Sequence, residues 1–122
     1  MKVSELTGIT LDYWVAKGMG HYSRLSNGRC EVIDWNKPGS LINGERFEPS
    51  TDWQHAGPII DREFITIRAP SHPHPQVWAA FSLELLHRTA GLHMTFYGST
   101  PLIAAMRAYV ATKFGDDVDF RT

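Results

Sequence analysis

Apolar side chains recur at helical spacing near both ends of the chain and alternate with polar ones in between. Leu6, Ile9, Leu11, Tyr13, Trp14, Val15 and Ala16 predict an amphipathic first helix, opened by Ser4 or Thr7 and stopped by Gly18 and Gly20. Leu11, Trp14 and Val15 share one face, with Asp12 and Tyr13 on its flank, open to solvent, a neighbour or a ligand. Residues 21–28 are polar and read as a turn-prone connection, with Ser26-Asn27-Gly28 as its clearest turn. Cys30, Val32, Ile33 and Trp35 predict a short strand ended by Asn36-Lys37-Pro38-Gly39, and Leu41, Ile42 and Phe47 around Asn43-Gly44 a returning hairpin arm. Residues 64–69 alternate with β-branched side chains and predict a strand closed by Pro70, Pro73 and Pro75. Residues 77–86 read as a strand across a hairpin loop, and 93–97 add another.

The last element has the fullest set of helix signals. Thr100 caps it, Pro101 takes the first helical position, and Leu102, Ile103, Met106, Tyr109, Val110 and Phe114 recur until Gly115 ends it. Ala104, Ala105, Ala108 and Ala111 broaden its apolar face enough to pack on a sheet and on a second protomer. The fold class expected is α+β: one domain over 1–122, with a small antiparallel or mixed sheet packed by an N-terminal and a C-terminal helix.

Between these elements lies 47–63, FEPSTDWQHAGPIIDRE, which suits neither a plain strand nor a plain helix. Pro49 and Pro58 each remove a backbone donor and restrict the residue before them. The segment reads as an ordered loop feeding a short helix, capped by Ser50, Thr51 or Asp52, with Pro58 at the first position of a second turn through Glu63.

Composition narrows the function classes. The 122 residues hold 12 basic and 13 acidic side chains, a formal net charge of -1, so no global positive field draws in nucleic acid. One cysteine, Cys30, cannot form an internal disulfide, and no apolar run approaches the roughly 18 residues that span a bilayer. MKVSELTG lacks the apolar middle of a signal peptide, which points to a reducing cytoplasm. Four Trp, four Tyr and six Phe exceed the needs of a small core; on that surplus rests the expectation of a homo-oligomer or an aromatic ligand site.

Three blocks, LTGITLDYWVAKG, FEPSTDWQHAGPIIDRE and YGSTPLIAAMRAYVATKFGDDV, together resemble the NinX-like family of small proteins of tailed phages and prophages. Residues 21–46 and 70–96 carry no matching motif. Glu48 before Pro49 and Ala56 before Gly57 depart from the family pattern and retune the rim of any pocket there. The resemblance implies a phage-encoded accessory protein of the host cytoplasm, and it supplies no established catalytic residues to carry over.

The residues themselves offer several chemistries. Asp52 and His55 have acid-base types, but no nucleophile sits in a recognisable elbow, and capping explains Ser50, Thr51 and Asp52 more simply. His72, His74, His55, His87 and His93 lack the tight ligand pairs of a zinc site, so no metal and no cofactor is expected. GxGxxG and a Walker lysine are absent. A small anionic ligand fits better, because a helix start attracts phosphate and Arg62, Arg68 and Arg107 offer guanidinium forks. Trp14, Trp53 or Tyr97 would stack on a base. The expected ligand contacts are Ser50, Thr51, Asp52, Trp53 and Arg62, with Trp14 and Arg107. The function expected is capture, without turnover, of a nucleotide-like small molecule, such as a host immune signal of the cyclic ADP-ribose type. The alternative is a phage protein that binds a host protein through exposed aromatic surface; an enzyme using Asp52 and His55 comes third.

Overall fold

The computed structural model describes residues 1–26, 28–33, 45–71, 76–84 and 95–119. After a 3-10 turn (Val3–Glu5) come α1 (Gly8–Gly18), β1 (Tyr22–Ser26), β2 (Arg29–Ile33), β3 (Glu45–Arg46), α2 (Trp53–Arg62), β4 (Ile65–Arg68), β5 (Trp78–Ser82), β6 (Phe96–Gly98) and α3 (Pro101–Phe114). The architecture is α+β, with two 3-stranded antiparallel sheets, β1-β2-β3 and β4-β5-β6.

Helix α3 is the centre of the molecule because it is apolar nearly all round, and such a helix is stable only when covered on several sides. Leu102, Ala104, Ala105, Met106, Ala108, Tyr109, Val110 and Ala111 are all buried. One side packs on β4, β5 and β6, and another on α1, which in turn covers β1 and β2. The layers therefore run sheet, helix, helix, sheet. The alanine face read as a seat for a second protomer is filled within the chain: its small side chains admit α1 on one side and the sheet on the other. As expected from its sequence, α3 starts at Thr100, whose hydroxyl accepts the Ile103 amide at 3.1 Å, with Pro101 next, and it ends at Gly115.

The second sheet shows the period of two that its sequence predicts. Ile65, Ala80 and Phe96 turn into the core, and Thr66, Arg68 and Tyr97 turn outward. Registers Ile67↔Ala80 and Ala80↔Phe96 align one cross-strand row, and Arg68↔Ala79 and Ala79↔Tyr97 the next. Where β6 ends, the chain crosses α3 closely. A Cβ on Gly98 would lie 2.8 Å from the Ala104 backbone nitrogen, so only glycine fits. Behind this sheet, Thr112 donates to the Ala108 carbonyl at 2.9 Å, which makes Ser82 the donor in the buried 2.7 Å bond between Ser82 and Thr112.

Three expectations change. The polar stretch 21–28 is mostly strand, because β1 pairs along its length with β2 and its connection is only two residues long, with Ser26↔Arg29 as the closing pair and Gly28 at φ 74°. That hidden strand is why one expected sheet becomes two. Pro58 lies inside α2 rather than opening a second turn; it is exposed, so water can serve the carbonyl that its missing N–H leaves free. The extended segment over 77–86 is a strand at Trp78–Ser82, with 85–86 outside the described residues. Trp35, the Asn36-Lys37-Pro38-Gly39 turn and the 41–44 arm also lie outside them.

Candidate functional site

A guanidinium drawn partly out of water without a carboxylate is costly, and Arg107 on α3 is half-buried in that way. Its Nε donates to the Leu6 carbonyl at 2.8 Å and its Nη1 to the Tyr97 carbonyl at 2.6 Å, so it ties the N-terminal segment to β6. No carboxylate pairs with it among the described residues. Burial pushes its pKa below the ordinary arginine value. Two carbonyl dipoles fix the group in place but carry no net charge to balance it.

The guanidinium opens on a cleft of about 360 Å³ lined by Lys2, Ser4, Thr95, Phe96, Tyr97, Arg107 and Asp116. Lys2 adds a second cation. Tyr97 is 52% exposed, on the outer face of β6, so its ring is open to a stacking partner. Asp117 lies close by, but its carboxylate is bound to the N-terminal ammonium at 3.0 Å, which holds its pKa below the usual carboxylate range. The arrangement suits an anionic group on the guanidinium fork with a flat ring over Tyr97. It offers no nucleophile with a base beside it.

Of the residues expected to contact a ligand, Arg107 alone lines this cleft, joined by Tyr97, which had been considered only as a stacking ring. Trp14 is in the core, 1% exposed, with its ring edge-on to Tyr13 and Phe114 and the Lys17 ammonium 4.9 Å from its centroid, so it offers no face to a ligand. Asp52 caps α2 by accepting the Gln54 amide at 2.9 Å. Thr51 is exposed, and its hydroxyl reaches the Glu48 carbonyl at 3.5 Å. Trp53 is 56% exposed at the start of α2, and Arg62 is at its other end, about 14 Å away along the axis, beside the Tyr109 hydroxyl. The two stand at opposite ends of α2. Ser50 is buried, and its amide donates at 2.8 Å to Asp12 of α1.

The acid-imidazole pair is not built for proton transfer either. His55 Nδ1 accepts the Glu48 amide at 3.0 Å and is 3.8 Å from Asp52, beyond hydrogen-bond reach. An imidazole that accepts an N–H at Nδ1 cannot at once be held there by a carboxylate. His72, His74, His87 and His93 lie outside the described residues, among which no group of three or more His, Cys, Asp and Glu is placed to hold a metal ion. Lys2, Ser4 and Thr95 were missed because the cleft is made by segments about a hundred positions apart, and no local pattern announces such a meeting.

Set beside models of known protein families, residues 2–113 match the family described as Bacteriophage P22, NinX. No curated protein matches the chain at a significant level.

Proposed function

The chain belongs to the bacteriophage P22 NinX family, and from that premise we propose that it is a phage accessory protein that captures, without turnover, a nucleotide-like small molecule in the Arg107 cleft. The supporting observation is the half-buried guanidinium of Arg107, which has no carboxylate partner among the described residues and opens on a cleft beside an exposed tyrosine ring. A phosphate on Arg107 and Lys2 supplies the missing countercharge, and a base stacks on Tyr97. Capture alone is enough for a protein that withdraws a host signal from use, and the host cytoplasm, where such signals act, is its proposed place of work. No described helix is long and apolar enough to cross a membrane.

Calorimetric titration tests this with adenosine monophosphate, ADP-ribose and unphosphorylated adenosine. The phosphorylated ligands should bind at least about tenfold more tightly than adenosine, and Tyr97→Ala, a surface change that spares the core, should weaken them by a similar factor. Absence of heat with every phosphorylated compound on folded protein overturns the proposal.

A second reading, capture of a host protein, is favoured by Phe64. Its φ is 52°, a conformation that disfavours any side chain, and its ring is 70% exposed. Strain combined with an exposed aromatic is a poor bargain within the chain and a reasonable one at an interface. This reading expects a stoichiometric host protein in a pull-down from lysate, lost with Phe64→Ser; the nucleotide reading expects none.

A further inference from the structure

A second cleft, of about 430 Å³, opens between α1, the β1–β2 hairpin and the segment that follows β3. It is lined by Ile9, Asp12, Gly28, Arg29, Cys30, Arg46 and Glu48. Its lining carries both signs, with Arg29 and Arg46 drawn to glutamates and the carboxylate of Asp12 left out of any ion pair among the described residues. Arg29 and Arg24 both bond Glu31, at 2.9 Å in each ion pair, and these arginine side chains cover it. Arg46 lies 3.4 Å from Glu48.

Asp12 is only 3% exposed, and no ion pair reaches it among the described residues. The Ser50 amide reaches Oδ1 at 2.8 Å, and no other hydrogen bond of normal geometry reaches the carboxylate among the described residues. The Ser50 hydroxyl lies close enough to ease the charge but is itself buried without a hydrogen-bond partner. Glu48, across the cleft, adds a second negative field. A buried carboxylate in no ion pair among the described residues, a neighbouring acid and an adjoining space together describe a place for one positive donor group.

We infer that this cleft binds a small organic cation, an alkylammonium or guanidinium group, whose N–H donors pair with Asp12 and face Glu48. The carbon body of such a ligand lies against Ile9 and the neutral thiol of Cys30, which burial keeps protonated. Hard divalent cations are a poorer fit. They require six or more oxygen ligands, and the cleft presents two carboxylates with an aliphatic wall. Arg29 and Arg46 also line the cleft, each drawn to a glutamate, Arg29 sharing Glu31 with Arg24 and Arg46 lying beside Glu48, so a ligand cation enters by competing with Arg46 for Glu48.

The inference is independent of the nucleotide reading and is tested separately. Amide chemical shifts are followed at about pH 8, where the carboxylate is ionised, during titration with methylammonium, methylguanidinium and neutral methylurea at constant ionic strength. At least one of the cations should give saturable shifts at Asp12, Gly28, Cys30 and Ser50, and methylurea none. Asp12→Asn keeps an acceptor for the Ser50 amide and should weaken binding at least about tenfold. Glu48→Gln, on a half-exposed side chain, should weaken it less, and Tyr97→Ala not at all. Saturation by neither cation overturns the inference, as does an isotherm unchanged in both Asp12→Asn and Glu48→Gln; if the first variant fails to fold, the second decides.

Discussion

Replacing Trp14 with alanine is expected to remove about 3–5 kcal/mol of folding free energy, a large part of the 5–15 kcal/mol typical of a domain. Trp14 is among the largest fully buried side chains, together with Tyr109, Leu6 and Leu11. It stands where α1 meets the end of α3, with Phe114 edge-on at 5.3 Å and Tyr13 at 5.5 Å. Both aromatic pairs, the cation over its ring and the buried area are lost together in the alanine variant, and the close-packed helices cannot collapse into the space without moving a sheet. Urea unfolding followed by far-UV circular dichroism should show a much lower midpoint with the slope retained. A midpoint lowered by less than a third of that expected would mean that the helix pair closes the cavity freely, against the packing described here.

The second large effect is a dependence on pH with an unusual sign. Burial pushes the Asp12 carboxyl from its ordinary 3.8 up to about 6, against the opposing pull of the Ser50 amide and hydroxyl; Glu48 adds to the rise and His55 subtracts from it. A group whose folded pKa is raised holds its proton more tightly in the native state. Its contribution is therefore complete below about pH 4 and is lost as the pH climbs to about 6, a change of about 3 kcal/mol. Glu31 and Asp117, with lowered pKa values, work in the opposite direction and mask this in the total curve. The difference between wild type and Asp12→Asn isolates it: relative to the variant, the wild type should lose stability between about pH 4 and 6 and hold level above. Parallel curves would show that Asp12 is better solvated than its 3% exposure implies.

Both residues show how far the chain can be read without coordinates. Periodicity puts Trp14 on the buried face of its helix, yet its aromatic character equally suits a ligand contact, and periodicity alone does not say whether a face meets protein or solvent. Asp12, one position beside that face, reads from sequence as open to solvent or a ligand, because nothing local reveals that the turn at Ser50 comes to cover it. Helix α3 was legible because caps and breakers act within a few residues. Strand β1 was not, because Tyr22, Arg24 and Ser26 are held by pairing with β2 rather than by their own preferences. The segment 47–63 does form a capped helix at Asp52, but Ser50 is turned to α1 while Trp53 and Arg62 stand at opposite ends of the helix. Family membership was legible from three blocks that fold into α1, α2 and α3, and the helix cores they encode say little about which cleft between them is used.

The pairing of α1 with α3 also bears on how the molecule is made. α1 is complete in sequence at residue 18, but the helix that covers its apolar face does not begin until residue 101. At the usual 5–20 residues per second, α1 waits roughly 4–17 s for its partner. The first sheet, which it also covers, is the natural interim shelter, since β1 and β2 follow within a few residues and close on each other locally. Folding of the whole therefore depends on a contact between distant parts of the chain, the kind that forms slowly.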